Sequence, residues 1–203
     1  PAGADAPVHV WHVASMRTQV RLRGAHAGGV AALAFSGGDS EYLASIDTSP
    51  SPLLAVWDWR RGTLLASART GRSPVLGVAF SPRAGALVTY GGRSLRFWSC
   101  EGGRLHAARG LFGEGRDHCV LAVAFLPDGE TMVCATAGGA LLLWERGRCR
   151  EVLRGAYRGQ PIFALAATMH GVVAAGRGGS LLFWPGAQHG GLAPGGAIEL
   201  PLR

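Results

Sequence analysis

Val8-His9-Val10-Trp11, Ala55-Val56-Trp57-Asp58, Leu95-Arg96-Phe97-Trp98, Leu142-Leu143-Trp144 and Leu182-Phe183-Trp184 are short hydrophobic runs that each carry a tryptophan at or near the end. The indoles stand 46, 41, 46 and 40 residues apart. A repeat of that length is one four-stranded β-blade of a propeller. One blade cannot bury both of its faces alone, so the period specifies a stacked array.

A second series runs in phase. Gly29-Val30-Ala31-Ala32-Leu33-Ala34-Phe35, Val75-Leu76-Gly77-Val78-Ala79-Phe80-Ser81-Pro82, Val120-Leu121-Ala122-Val123-Ala124-Phe125-Leu126-Pro127-Asp128-Gly129 and Pro161-Ile162-Phe163-Ala164-Leu165-Ala166-Ala167 precede the last four tryptophans. Phe35, Phe80 and Phe125 are 45 apart. These runs are apolar at nearly every position. They are expected to be innermost strands buried on both faces. Ser81-Pro82 and Pro127-Asp128-Gly129 then read as turns. Second strands are expected at Tyr42–Ile46, Ala86–Tyr90, Thr131–Thr136 and Val172–Ala175, followed by the Trp strand and a more polar outer strand. The fold class is all-β, a WD40 β-propeller of about four complete blades plus part of another. Residues 1–24 read as the end of a preceding blade. Residues 25–69, 70–111 and 118–155 read as whole blades, and 160–203 as a fourth with the start of the next link. Two insertions interrupt the period, at Thr48-Ser49-Pro50-Ser51-Pro52 and at 110–117. A start at Pro1, a few residues before a strand, reads as a piece of a longer chain in a larger ring.

The 203 residues carry a net charge of +7. All 20 basic residues are arginine, with no lysine or asparagine and three isoleucines. That bias points to a GC-rich coding sequence rather than to a basic surface. The arginines are also dispersed, which argues against a nucleic-acid partner. No run approaches the roughly 18 apolar residues of a membrane helix. The start is not a basic region before an apolar one, as a signal peptide would be. Cys100, Cys119, Cys134 and Cys149 form no CxxC pair, which argues against zinc and fits a reduced, intracellular protein.

His26 precedes the first complete inner strand. With Ser45 or Asp47 and Trp57 it is placed to form a buried hydrogen-bond network that braces the blade. Later repeats lack a clear equivalent histidine, so their bracing is expected to be mainly apolar. His118 and Cys119 are adjacent in a strand and point to opposite faces, so they do not pair as base and nucleophile. The glycine pairs have neither P-loop nor dinucleotide context. No catalytic, cofactor or metal residues are expected, and the chain reads as non-enzymatic.

Val56-Trp57-Asp58-Trp59-Arg60-Arg61-Gly62, Arg109-Gly110-Leu111-Phe112-Gly113 and Gly159-Gln160-Pro161-Ile162-Phe163-Ala164-Leu165 occur in that order. Residues 7–203 thereby resemble the tandem propeller region of the echinoderm microtubule-associated protein-like family. The resemblance implies a protein of two joined propellers, cytoplasmic and cytoskeletal, that binds tubulin and microtubules. Tubulin is acidic, so exposed arginines suit it. The candidates are Arg60 and Arg61, Arg116, and Arg146 and Arg148. The alternative is a general WD40 scaffold in a ciliary, signalling or ubiquitin-related complex.

Overall fold

The computed structural model describes residues 5–38, 40–82, 86–92, 94–113, 119–186, 192 and 197–200. Among these described residues, eighteen strands form five antiparallel sheets. A leading hairpin, not numbered among the sheets below, joins β1 (Val8–His12) and β2 (Arg17–Leu22). Four four-stranded sheets follow in chain order. Sheet one holds β3 (Val30–Phe35), β4 (Tyr42–Asp47), β5 (Leu53–Asp58) and β6 (Thr63–Arg69). Sheet two holds β7 (Val75–Phe80), β8 (Ala86–Gly91), β9 (Ser94–Glu101) and β10 (Arg104–Arg109). Sheet three holds β11 (Val120–Phe125), β12 (Thr131–Thr136), β13 (Leu141–Glu145) and β14 (Arg148–Leu153). Sheet four holds β15 (Ile162–Thr168), β16 (Gly171–Gly176), β17 (Leu181–Pro185) and β18 (Ile198–Leu200). Each is a meander of neighbouring strands, the blade of a propeller, and the chain contains part of such a ring.

Period-two alternation builds the core. Leu43, Ala55 and Trp57 face back onto Val8, Val10 and Leu22 of the leading hairpin. The intervening Ala44, Ile46, Leu54 and Val56 face forward onto Val78, Leu87 and Trp98 of sheet two. The same split recurs in sheet three. Met132, Cys134, Leu142 and Trp144 meet Val88 and Leu95 behind them, while Val133, Ala135, Leu141 and Leu143 meet Ile162, Val172 and Trp184 ahead. An apolar layer therefore separates every consecutive pair of sheets. Each tryptophan from Trp57 onward reaches into the sheet that precedes its own.

Trp11 holds the same strand position, with a bulge just before it as before Trp57 and Trp144. Yet it is 55% exposed, against 1–3% for Trp57, Trp98, Trp144 and Trp184. No described sheet lies behind it, and its ring stacks instead on His9 at 6.2 Å.

Phe35, Phe80 and Phe125 each end an inner strand and pair with Leu43, Leu87 and Met132 of the second. The inner strands are nevertheless not buried on both faces. Leu33 is 52%, Phe35 47% and Phe163 59% exposed. The most enclosed strands are the second and third, and β12 is buried throughout. For Leu33 and Phe35 the reason is lateral cover. The forward-facing Ala32 and Ala34 of β3 pack on sheet two, but Leu33 and Phe35 point back, where only the outer two strands of a blade are present. Phe163 is the unpaired residue of the β-bulge between Ile162 and Ala164, the position that Leu76, 48% exposed, holds in β7.

Two hairpins share one turn type. Gly102-Gly103 joins β9 to β10 with φ of 56° and 74°, and Arg146-Gly147 joins β13 to β14 with φ of 47° and 79°. Positive φ at both central residues matches the twist of the flanking strands and favours glycine or asparagine. Arginine there costs about 1 kcal/mol.

Apolar side chains left open on Leu33, Phe35 and Phe163 carry a measurable consequence. The folded 203-residue chain is expected to bind the dye ANS. The combined change Leu33→Thr, Phe35→Thr and Phe163→Thr should cut the fluorescence at least by half. Unchanged fluorescence would mean that other surface binds the dye.

Candidate functional site

The only buried histidine among the described residues begins the polar centre of sheet one. His26 lies in the link before β3 and is 3% exposed. Its Nε2 lies 2.6 Å from Ser45 Oγ on β4. The Trp57 indole N–H on β5 donates to the same oxygen at 2.8 Å. The indole and imidazole rings meet edge to face at 6.4 Å. His26 Nδ1 stands 3.8 Å from Asp47 Oδ2, beyond hydrogen-bond length, so that contact is electrostatic. The tautomer that fits has Nδ1–H toward Asp47 and Nε2 accepting from the Ser45 hydroxyl.

Asp47 serves two neighbours. Its Oδ1 accepts from the Ser49 and Leu53 backbone N–H groups at 3.2 and 2.9 Å, and from Ser49 Oγ at 2.7 Å. The Thr48–Pro52 insertion is thereby folded around one carboxylate oxygen while the other faces His26. Burial favours the neutral carboxyl, but the Leu53 and Ser49 hydrogen bonds outweigh it and hold Asp47 below its ordinary value. Burial holds His26 below its ordinary value, against the opposing pull of Asp47.

Asp, His and Ser side chains in this order suggest a nucleophile. Ser45, however, is fully buried and its oxygen already accepts the indole N–H. The arrangement braces the blade, spanning link, second strand and third strand.

The other sheets repeat the positions with different chemistry. Register aligns Ser45 with Thr89, Cys134 and Ala174, two residues beyond the partner of each tryptophan. Thr89 Oγ1 accepts from Trp98 at 3.0 Å. Trp144 Nε1 is buried with no hydrogen-bond partner beside Cys134. Aromatic packing compensates there: Phe112 meets Trp144 edge to face at 4.9 Å, and Phe97 lies 6.0 Å away. In sheet four Tyr157 is buried in the link, and its hydroxyl donates to Ser180 O and accepts from Gly176 N. Sequence reasoning missed Tyr157 and Phe112 because neither aligns with His26.

Of the candidate contact arginines, Arg60 and Arg61 lie on the β5–β6 turn, and Arg146 and Arg148 at the β13–β14 turn. In an antiparallel meander the turns after the first and third strands lie at one end of the sheet. All four arginines therefore share one rim. They are not equally free. Arg60 lies 5.1 Å over the Trp59 ring, and Arg61 pairs with Asp58 at 3.5 Å. Arg116 lies outside the described residues. Among the described residues, no cluster of three His, Cys, Asp or Glu side chains could hold a metal, and no helix is long and apolar enough to cross a membrane.

Comparison with known proteins gives one consistent result. The family model "Echinoderm microtubule-associated protein first beta-propeller" matches residues 2–189. The chain is 37% identical over 143 residues to echinoderm microtubule-associated protein-like 4 of Xenopus laevis, covering 68% of the chain and 15% of that protein. It is 33% identical over 184 residues to the mouse (Mus musculus) protein-like 2, covering 87% and 28%. Cilia- and flagella-associated protein 44 of Chlamydomonas reinhardtii is 37% identical over 158 residues, covering 75% and 9%. The chain thus spans less than a third of the length of these relatives. Among solved structures, the β-propeller domain of Cps50 (Swd1) from Myceliophteria thermophila superposes with a TM-score of 0.77 at 15% identity, over 92% of this chain and 64% of that one. At that identity the likeness concerns the fold alone.

Two predictions follow from the bracing network. Below the ordinary histidine value of 6.5, the unfolded chain takes up a proton that buried His26 resists. Stability from His26 is therefore complete above that pH and falls as pH drops below it. The Asp47 contribution persists until pH falls below 3.8, the ordinary carboxyl value. Thermal unfolding at pH 7.5 and 5.5 should show a smaller loss of Tm in His26→Gln than in the wild type; equal losses would clear His26. Separately, Cys134→Ser supplies the Trp144 indole with an acceptor and should stabilise by about 1 kcal/mol, whereas Thr89→Val should destabilise by about as much. Urea unfolding measures both, and a destabilised Cys134→Ser would show that the indole needs no partner.

Proposed function

The chain belongs to the echinoderm microtubule-associated protein family, as part of its first β-propeller, and on that premise we propose that it is a non-catalytic module binding tubulin or microtubules through the turns on one rim of its sheets. The membership is the observation that carries the reading. The blade faces are occupied by neighbouring blades, which leaves turns and rims for a partner. Arg60, Arg61, Arg146 and Arg148 share such a rim, and arginine pairs well with a carboxylate-rich surface. The corresponding location is the microtubule cytoskeleton of the cytoplasm. Arg116 belongs to the same set as a loop candidate on sequence alone. No nucleic acid, membrane or cofactor enters this function.

One observation favours a second reading. The relative named as cilia- and flagella-associated matches at the same 37% identity as the microtubule-associated one. A scaffold role in a ciliary assembly would use the same rim to hold another protein.

Co-sedimentation with polymerised tubulin, using the full-length protein, separates the two. Reversing Arg60, Arg61, Arg146 and Arg148 to Glu together should weaken binding roughly ten-fold, while single changes should do little, because exposed pairs contribute about 0–1 kcal/mol each. Added salt should weaken the wild type as well. A folded quadruple variant that pellets as the wild type does would remove these arginines from the interface.

A further inference from the structure

A groove of about 610 Å³ opens between sheets two and three, at the arginine-bearing rim. Its floor is apolar. Phe97 of β9 and Phe125 of β11 line it half-buried, and Leu111 lines it 54% exposed. Three exposed arginines ring the floor: Arg109 at the end of β10, and Arg146 and Arg148 at the β13–β14 turn. Among the described lining residues the one carboxylate is Glu130, and Asp128 and Glu145 lie beside Arg146 and Arg148 on the same rim. No described residue forms an ion pair with Arg109, Arg146 or Arg148, whereas nearby Arg150 is paired with Glu145 at 3.6 Å.

The walls are built rather than incidental. Leu111 N donates to Gly147 O and Cys149 N donates to Leu111 O, both at 2.9 Å, so the link from sheet two forms a parallel bridge on the outer edge of β14. Ser81 Oγ donates to Gly129 O at 3.3 Å and ties the two sheets together at the same rim. Arg146 occupies a left-handed position, φ 47°, at the point where the matching turn of sheet two has Gly102. The turn would form more readily with glycine, and arginine there keeps a guanidinium at the groove mouth.

We propose that this groove is a docking site for an extended acidic peptide segment of a partner protein, one that carries a bulky apolar side chain between its carboxylates. Charge complementarity selects the occupant. Among the described lining residues three guanidiniums with no ion-pair partner outnumber the one carboxylate, Glu130, and match acidic side chains, while Asp128 and Glu145 stand beside Arg146 and Arg148 outside the groove. The Phe97–Leu111–Phe125 floor takes an apolar anchor. A polyanion such as RNA would satisfy the arginines but leave the floor unused unless a base stacked there. The inference rests on the protein-binding reading above, though not on tubulin being the partner.

The probe is a fluorescein-labelled synthetic peptide with one phenylalanine between two pairs of glutamates, titrated into the full-length protein by fluorescence anisotropy at low salt. Saturable binding is expected. It should weaken at least five-fold when the peptide phenylalanine becomes glycine, and equally with Leu111→Asp in the protein. Arg146→Gly should also weaken it at least five-fold, and it is the cleaner variant because glycine suits the turn and preserves folding. Binding indifferent to both Arg146→Gly and the phenylalanine change would overturn the proposal, as would tighter capture of an oligouridine that survives Leu111→Asp. Tubulin co-sedimentation of the same proteins separates the two ideas. Peptide binding with no tubulin pelleting removes tubulin alone, and pelleting without peptide binding removes the groove alone.

Discussion

The backward insertion of one indole per repeat is the contact on which the architecture rests. Trp57, Trp98, Trp144 and Trp184 each leave their own sheet and fill a layer shared with the preceding one. A buried tryptophan removes on the order of 200 Å² from water. No sheet has enough apolar partners of its own to do this. Blade order, blade spacing and the alternation of forward and backward residues along β4, β5, β12 and β13 all follow from that requirement.

Polar bracing is added to the apolar layers unequally. Sheet one has the complete set, His26, Ser45, Asp47 and Trp57. In the following sheets the Ser45 position holds Thr89, Cys134 and Ala174, and the Asp47 position holds Gly91, Thr136 and Gly176. As polar partners drop out, aromatic rings from the links take over, Phe112 against Trp144 and Tyr157 against sheet four. The backbone keeps its register while the chemistry that holds it changes. A hydrogen bond contributes about 1 kcal/mol net and an aromatic pair a similar amount, so either device serves.

Much of this was legible in the chain. The tryptophan period and the in-phase Phe35, Phe80 and Phe125 locate third and first strands, because a sheet must alternate and a repeat must recur. His26 could be linked to Ser45, Asp47 and Trp57 since the WD40 pattern offers a role for a histidine before the first strand. Inner-strand burial was misread, because Leu33 and Phe163 are apolar like their neighbours, and lateral cover at the first and a β-bulge at the second decide their exposure. The groove was not legible at all. Phe97, Arg109, Leu111, Phe125 and Arg146 come from two sheets and a link, and no period in the sequence brings them together. Arg146 and Arg148 were singled out for charge, without the floor between them.

The direction in which the indoles point also gives the array a polarity in time. A ribosome releases the chain from the amino end, and domains generally form as they emerge. When Trp98 is released, Ala44, Ile46, Leu54 and Val56 already stand as its receiving surface. The same holds for Trp144 against Val88 and Leu95. Each newly made blade thus closes onto a template completed before it, and its largest apolar side chain need not wait in water for sequence still to be translated.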